Sequence, residues 1–248
     1  MPALQSLRDS LDLVRDIAND IDANASAALA SAAVRARHDT IQCASVVLLS
    51  GYFESFLKQL AEETVATICS FGAPFSTLDK RIREAHFEHG GRVLQEVSKA
   101  ARSSRPHDWV KANSADIARR LHSVSNAAGY EIVWEAFADT KSNPGVEVVR
   151  DFLLRFGVEG GWDKIAVHCR VTKQWAQTAL TNLIAIRNEC AHTGKVAVIP
   201  SPSELRQFCD NLKDLAEAIA ALIQSHLAQM QQVVTPVAAP ATAPTGSP

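Results

Sequence analysis

Glycine is scarce in this chain, with 11 in 248 residues, and aromatic side chains make up only 6%. Sheets favour aromatic and β-branched residues, whereas the long Ala, Leu, Glu, Gln and Arg stretches here lose little rotamer freedom in a helix. The expected fold class is therefore all-α. Charge of either sign is not in excess, since 25 Lys and Arg face 27 Asp and Glu for a net −2. No global electrostatic footprint for nucleic acid exists, and any RNA contact must come from a local basic cleft. Cysteines are few: Cys43, Cys69, Cys169, Cys190 and Cys209 are odd in number and form no C-x-x-C pair to grip zinc. Free thiols, no metal and no cofactor are expected. The opening MPALQSLRDSLDL carries acids where a signal peptide needs a basic and then an apolar region, and no uninterrupted apolar run reaches about 18 residues. A cytoplasmic protein without a membrane partner is the expectation. What is present, 47% apolar and 21% charged residues, suffices to bury a sizeable core.

Apolar residues at 4, 7, 11, 14, 17 and 21 mark one stripe of a helix from Leu4 to Ile21. The Ala-rich stretch Ala25 to Ala36 either continues that helix or bends it near Asn24. A second helix, roughly Asp39 to Ser70, is apolar nearly all round at its start and makes the central core helix; Phe71-Gly72-Ala73-Pro74 breaks it. Between about 74 and 161 the pattern shortens. Runs near Leu78 to His86, Gly91 to Ala101, Val110 to Ala127 and Val146 to Phe156 alternate with turn chemistry at Gly90-Gly91, Ser103 to Pro106, Gly129, Asn143-Pro144-Gly145 and Gly160-Gly161. This stretch reads as an insertion of short helices on a simpler bundle. A short helix around Trp162 to Arg170 precedes a long one capped by Thr172 and running to about Cys190, with Trp175, Leu180, Leu183 and Ile184 as its buried stripe. Ser201 and Ser203 are cap candidates for a last helix from Leu205 to Met230. One helical domain over 1–233 and a disordered Pro/Ala-rich tail over 234–248 complete the organisation.

Chemistry concentrates in LTNLIAIRNECAHTGK, where Arg187, Asn188 and Glu189 interrupt an apolar run, His192 sits in the last turn and Gly194 suits the helix stop. Residues five apart on a helix diverge by about 140°, so Arg187 and His192 flank a cleft without stacking. Both can reach one phosphate. Metal-free RNA cleavage needs a base for the 2′-hydroxyl proton, an acid for the 5′-oxygen and a fixed cation for the phosphorane. Histidine supplies acid–base capacity near neutrality, and arginine stays charged and grips phosphate as a fork. One such motif per chain makes a two-fold dimer an economical way to assemble the site.

R-N-x-x-x-H at the end of an apolar helix, followed by a closing long helix, resembles the HEPN family of helical-bundle ribonucleases, nearest to its branches in prokaryotic defence and toxin systems. An early core helix with Tyr52, Phe53, Glu54, Ser55, Phe56 and Leu57 adds to the likeness, which covers about Val34 to Ser70 and Gln174 to Leu227. The resemblance implies an up-and-down helical bundle and a homodimeric, metal-independent endoribonuclease that cuts RNA by 2′-hydroxyl attack and leaves a 2′,3′-cyclic phosphate. An antitoxin or sensor protein is the further implied partner. Arg187 and His192 match the family's catalytic pair, Asn188 the polar residue that orients the site, and Glu54 an acidic position on the facing helix. Gly194 stands where one antitoxin-paired subgroup carries a tyrosine, so the acceptor for adenylylation in that subgroup is missing. A catalytically silent helical module that binds a partner protein or nucleotide through the same polar cleft is the alternative.

Other residues carry plainer expectations. Glu54, between Phe53 and Phe56 on a buried-looking helix, needs a partner such as Arg187. His86 and His89 in HFEHG offer two candidate ligands only and read as a solvated helix end. Cys190 reads as packing, since two residues apart on a helix it points away from His192. Lys80, Arg81, Arg83, Arg102, Arg105, Lys111, Arg119 and Arg120, with His107 and Trp109 nearby, either line an RNA channel or solvate a face.

Overall fold

The computed structural model describes residues 1–102, 108–125, 129–140, 144–193 and 198–234; the side chains of 101, 108–112, 193 and 234 are excluded from the description. Among the described residues there are nine α-helices and no strand, so the all-α expectation holds.

Helix α1 (Pro2–Ala23) buries Leu7, Leu11, Val14 and Ile21 along the expected stripe, with Ala3 and Ala18 filling it out. The chain bends at Asn24, as one of the two readings had it. A six-residue helix, α2 (Ala25–Ala30), follows, and Ser31 then caps α3 (Ala32–Ser70) by accepting from the Val34 N–H at 3.4 Å. The core helix thus starts seven residues before Asp39, because Ser31 supplies the cap. With its 39 residues α3 is, by length and composition, the one helix among the described residues that passes for a membrane span, but half of its most apolar window is buried in the bundle. Val46, Leu49, Phe53, Phe56, Leu57 and Leu60 form its inner face.

The closing helix α9 (Pro202–Val234) opens with a reciprocal cap: the Glu204 N–H donates to Ser201 Oγ at 3.3 Å, and Glu204 Oε2 accepts from the Ser201 N–H at 2.7 Å. Ser201 is the cap, and Ser203 only supports its hydroxyl. Helices α1 and α9 run antiparallel, tied by Arg8 to Glu217, Arg15 to Asp210 and Arg206 to Asp22. Both pack on α3. These three helices position everything else.

The middle segment begins with a 3-10 turn, Phe75–Thr77, and continues as α4 (Lys80–Ala101), α5 (Asp108–Ser123), a second 3-10 turn (Trp134–Ala136), α6 (Val146–Arg155) and α7 (Gly161–Cys169). Two expected short helices are one, since α4 runs straight through Gly90-Gly91. A Cβ on Gly90 would stand 2.9 Å from Leu121 Cδ2 of α5. That glycine serves the close approach of α5 to α4, not a turn. The expected end of α5 at Ala127 moves back to Ser123; Ala127 itself, Ser103 to Pro106 and most of the tail fall outside the described residues.

Candidate active site

Helix α8 (Lys173–Thr193) starts where Thr172 Oγ1 accepts from the Trp175 N–H at 3.1 Å, as the cap signal predicts. Ala176, Leu180, Leu183, Ile184 and Cys190 are its buried residues. Trp175 was expected among them but is 44% exposed. It lies about 100° round the helix from Ala176, off the stripe that meets α3.

Arg187 falls where that stripe would continue, three residues beyond Ile184, and is half-buried. It faces the side of the bundle on which α3 carries Glu54, and the Arg187 charge helps to hold the Glu54 carboxyl below the usual range. Glu54 does not have Arg187 as its ion-pair partner, which corrects the expectation. Its Oε1 accepts from Lys58 Nζ at 2.6 Å and from Thr140 Oγ1 at 2.8 Å. Burial pushes the Glu54 carboxyl up, but the two hydrogen bonds and the positive charges of Lys58 and Arg187 outweigh it, and the net direction is downward. The side chain keeps 21% exposure, so it is not the buried, unpaired acid its apolar neighbours suggest. Lys58 was legible one turn away at i+4. Thr140, 86 residues along the chain, had no local signal.

Arg187 Nη1 donates to Asn188 Oδ1 at 3.1 Å, which fixes the guanidinium beside the amide. His192 is exposed in the last turn, about 7.5 Å further along the axis and about 140° round it. Arg187, Asn188 and Glu54 thus share one region, and His192 lies at the helix end, with no hydrogen bond or ion pair among the described residues. Gly194 lies outside the described residues.

Cys190, one turn from Arg187, is buried against Cys43 of α3. Burial, then the neighbouring thiol, push Cys190 up to about 12. It is a packing residue, as expected, and its thiolate is suppressed. His86 corrects the solvated-end reading: it is fully buried in the middle of α4, with Nδ1 accepting the Val133 N–H at 3.2 Å. His89 is half-buried in the same helix. No group of three His, Cys, Asp or Glu side chains is placed to hold a metal ion among the described residues. Several cations of the middle segment are engaged by acids: Lys80 by Glu84, Arg81 by Glu159, Arg119 by Glu131 and Asp116, Arg120 by Glu135 and Asp116. Their charge is largely compensated locally. His107 and Arg105, and the side chains of Trp109 and Lys111, fall outside the described residues.

A family model described as RiboL-PSP-HEPN matches residues 5–225. The chain belongs to the RiboL-PSP-HEPN family. The match runs from the first turn of α1 almost to the end of α9 and takes in the middle segment as well as the four long helices. Comparisons with curated proteins and with solved structures found no match. The HEPN assignment accounts for the all-α architecture.

Proposed function

We propose that this HEPN protein is a metal-independent endoribonuclease, active as a homodimer and serving as a toxin or antiviral effector restrained or triggered by a partner protein. The observation that carries the reading is the pairing on one helix of Arg187, half-buried and braced by Asn188 near the Glu54–Lys58–Thr140 cluster, with a solvent-facing His192. In this reading His192 takes the proton of the substrate 2′-hydroxyl, and the oxygen attacks the neighbouring phosphorus. Negative charge grows on the phosphorane oxygens. Arg187 supplies the fixed cation there, and its geometry is preset by Asn188. The bond from phosphorus to the 5′-oxygen then breaks, that oxygen takes a proton, and a 2′,3′-cyclic phosphate remains. A second proton-transfer group is needed for the leaving oxygen. A second copy, related by a two-fold axis, brings one without a further motif in the chain.

The test is incubation of the purified protein with labelled RNA in EDTA. His192→Ala and Arg187→Ala are each expected to slow cleavage about a hundredfold or more, with circular dichroism confirming the helical fold. Unchanged cleavage in both variants removes the catalytic assignment. Full activity of a monomer removes the composite site. If the unsubstituted protein cuts no RNA, the silent binding module becomes the better account.

A further inference from the structure

Helices α8 and α9 leave an open groove of about 390 Å³ between them, on the side of α8 turned away from α3. Trp175, Asn182 and Ile186 line it from α8; Gln207, Phe208 and Asn211 line it from α9. The spacing in each row is that of one helix face. Trp175 is the largest side chain of the set and is 44% exposed. The side-chain amides of Asn182, Gln207 and Asn211 make no hydrogen bond or ion pair among the described residues, so each can donate and accept towards a ligand. One carboxylate, Glu204, also lines the groove, and Ser201 already engages it through Oγ and N–H at 2.7 Å. No cation lines it. The groove therefore does not grip phosphate. An aromatic face with a rim of amides suits an uncharged, flat, hydrogen-bonding group.

Its place in the fold narrows the ligand. Asn182 precedes His192 by ten residues, about 15 Å along one unbroken helix and about 80° round it, whereas Arg187 lies about 140° round from Asn182, so a strand reaching both must wind round the end of α8. A few linked nucleotides bridge that distance. We propose that the α8–α9 groove takes a base of the single-stranded RNA cut at Arg187 and His192, with Trp175 as its stacking face and Asn182, Gln207 and Asn211 reading its edge. The identity of the ligand rests on the ribonuclease reading. The groove would then set which sequence is cut, while the motif at the helix end supplies the chemistry.

The experiment measures fluorescence anisotropy of labelled A, C and U homopolymer oligonucleotides in EDTA, with the full chain carrying His192→Ala to keep the RNA intact. One base should be preferred. Trp175→Ala and Asn211→Ala are each expected to weaken binding of the preferred oligomer about tenfold and to leave the others unchanged, which also shows that the variants fold. Trp175→Phe, which keeps an aromatic face, restores most of the preference. The same order and strength of binding in Trp175→Ala and Asn211→Ala overturns the proposal. So does conversion of a sedimenting dimer to a monomer by Trp175→Ala, which makes the groove a contact between copies. Base-selective binding without cleavage by the unsubstituted chain defeats the ribonuclease reading alone. Cleavage with an unaltered base preference in the groove variants defeats the groove alone.

Discussion

His86 has 0% exposure, its ring edge-on to Phe75 and Phe87, with Arg120 close enough to oppose a second positive charge. Burial, aided by Arg120, brings its pKa from 6.5 down to about 4. In that interval the unfolded chain holds a proton that the folded chain does not. The stability linked to His86 is therefore complete above pH 6.5 and is lost as pH falls towards 4. Integrating the two titrations gives a loss of about 2 kcal/mol between pH 7.5 and pH 5. For a chain of this size that corresponds to a fall in Tm of about 4–8 °C from this one group. Burial also lowers His89 and His226, so the total fall is larger and a variant must isolate the share of His86. His86→Asn keeps an acceptor for the Val133 N–H and does not titrate. Calorimetry of both proteins at the two pH values should show that the variant loses less Tm than the wild type, by about the amount above. Its absolute stability is immaterial. An equal loss in the two proteins would refute the reasoning, because the proton would then be entering elsewhere.

Gly157 has a φ of +84°, and a Cβ there would lie 3.0 Å from His226 Nε2 and 3.2 Å from Asp79 Cγ; Gly157→Ala should cost about 1–2 kcal/mol in urea unfolding, and an unchanged midpoint would contradict it. Glu54→Gln keeps an acceptor for Thr140 but loses the charge that faces Lys58 and Arg187. Stability should drop by less than about 1 kcal/mol while the cleavage rate falls; an unaltered rate would leave Glu54 a purely structural acid. Cys190→Ala should leave cleavage unchanged, because a thiol pushed up to about 12 is not a nucleophile near neutrality. A lost rate in a well-folded variant would return Cys190 to the mechanism.

The long helices were legible because their apolar spacing extends over many turns. The 7, 11, 14 and 21 positions of α1 are all buried, and so are 205, 212, 215, 219 and 223 of α9. Caps were legible too, at Thr172 and Ser201, since one side-chain oxygen decides each. Misreadings came where a residue answers to distant chain. Gly90 looks like a turn until Leu121 is seen against it, and His86 looks solvated until Val133 supplies its hydrogen bond. The same holds at the candidate site: Arg187, Asn188 and His192 lie in one short stretch of α8 and so are legible as a run in the sequence, whereas the Thr140 contact of Glu54 depends on how the middle segment folds back on α3. Trp175 was misplaced for another reason. A large aromatic at the start of an apolar helix is usually core, and only its rotation away from Ala176 and Leu180 puts it in water.

Helix α8 works as a ruler. It is unbroken from Lys173 to Thr193, so the step from Trp175 and Asn182 to Arg187 and His192 is fixed by backbone hydrogen bonds and cannot stretch to suit a ligand. A single residue inserted after Ile186 would turn the histidine by about 100° and carry it about 1.5 Å further out. Substitutions within the groove change neither quantity. On the proposed reading, a substitution in the groove leaves the placement of Arg187 and His192 intact, whereas an insertion between the groove and that pair breaks their register.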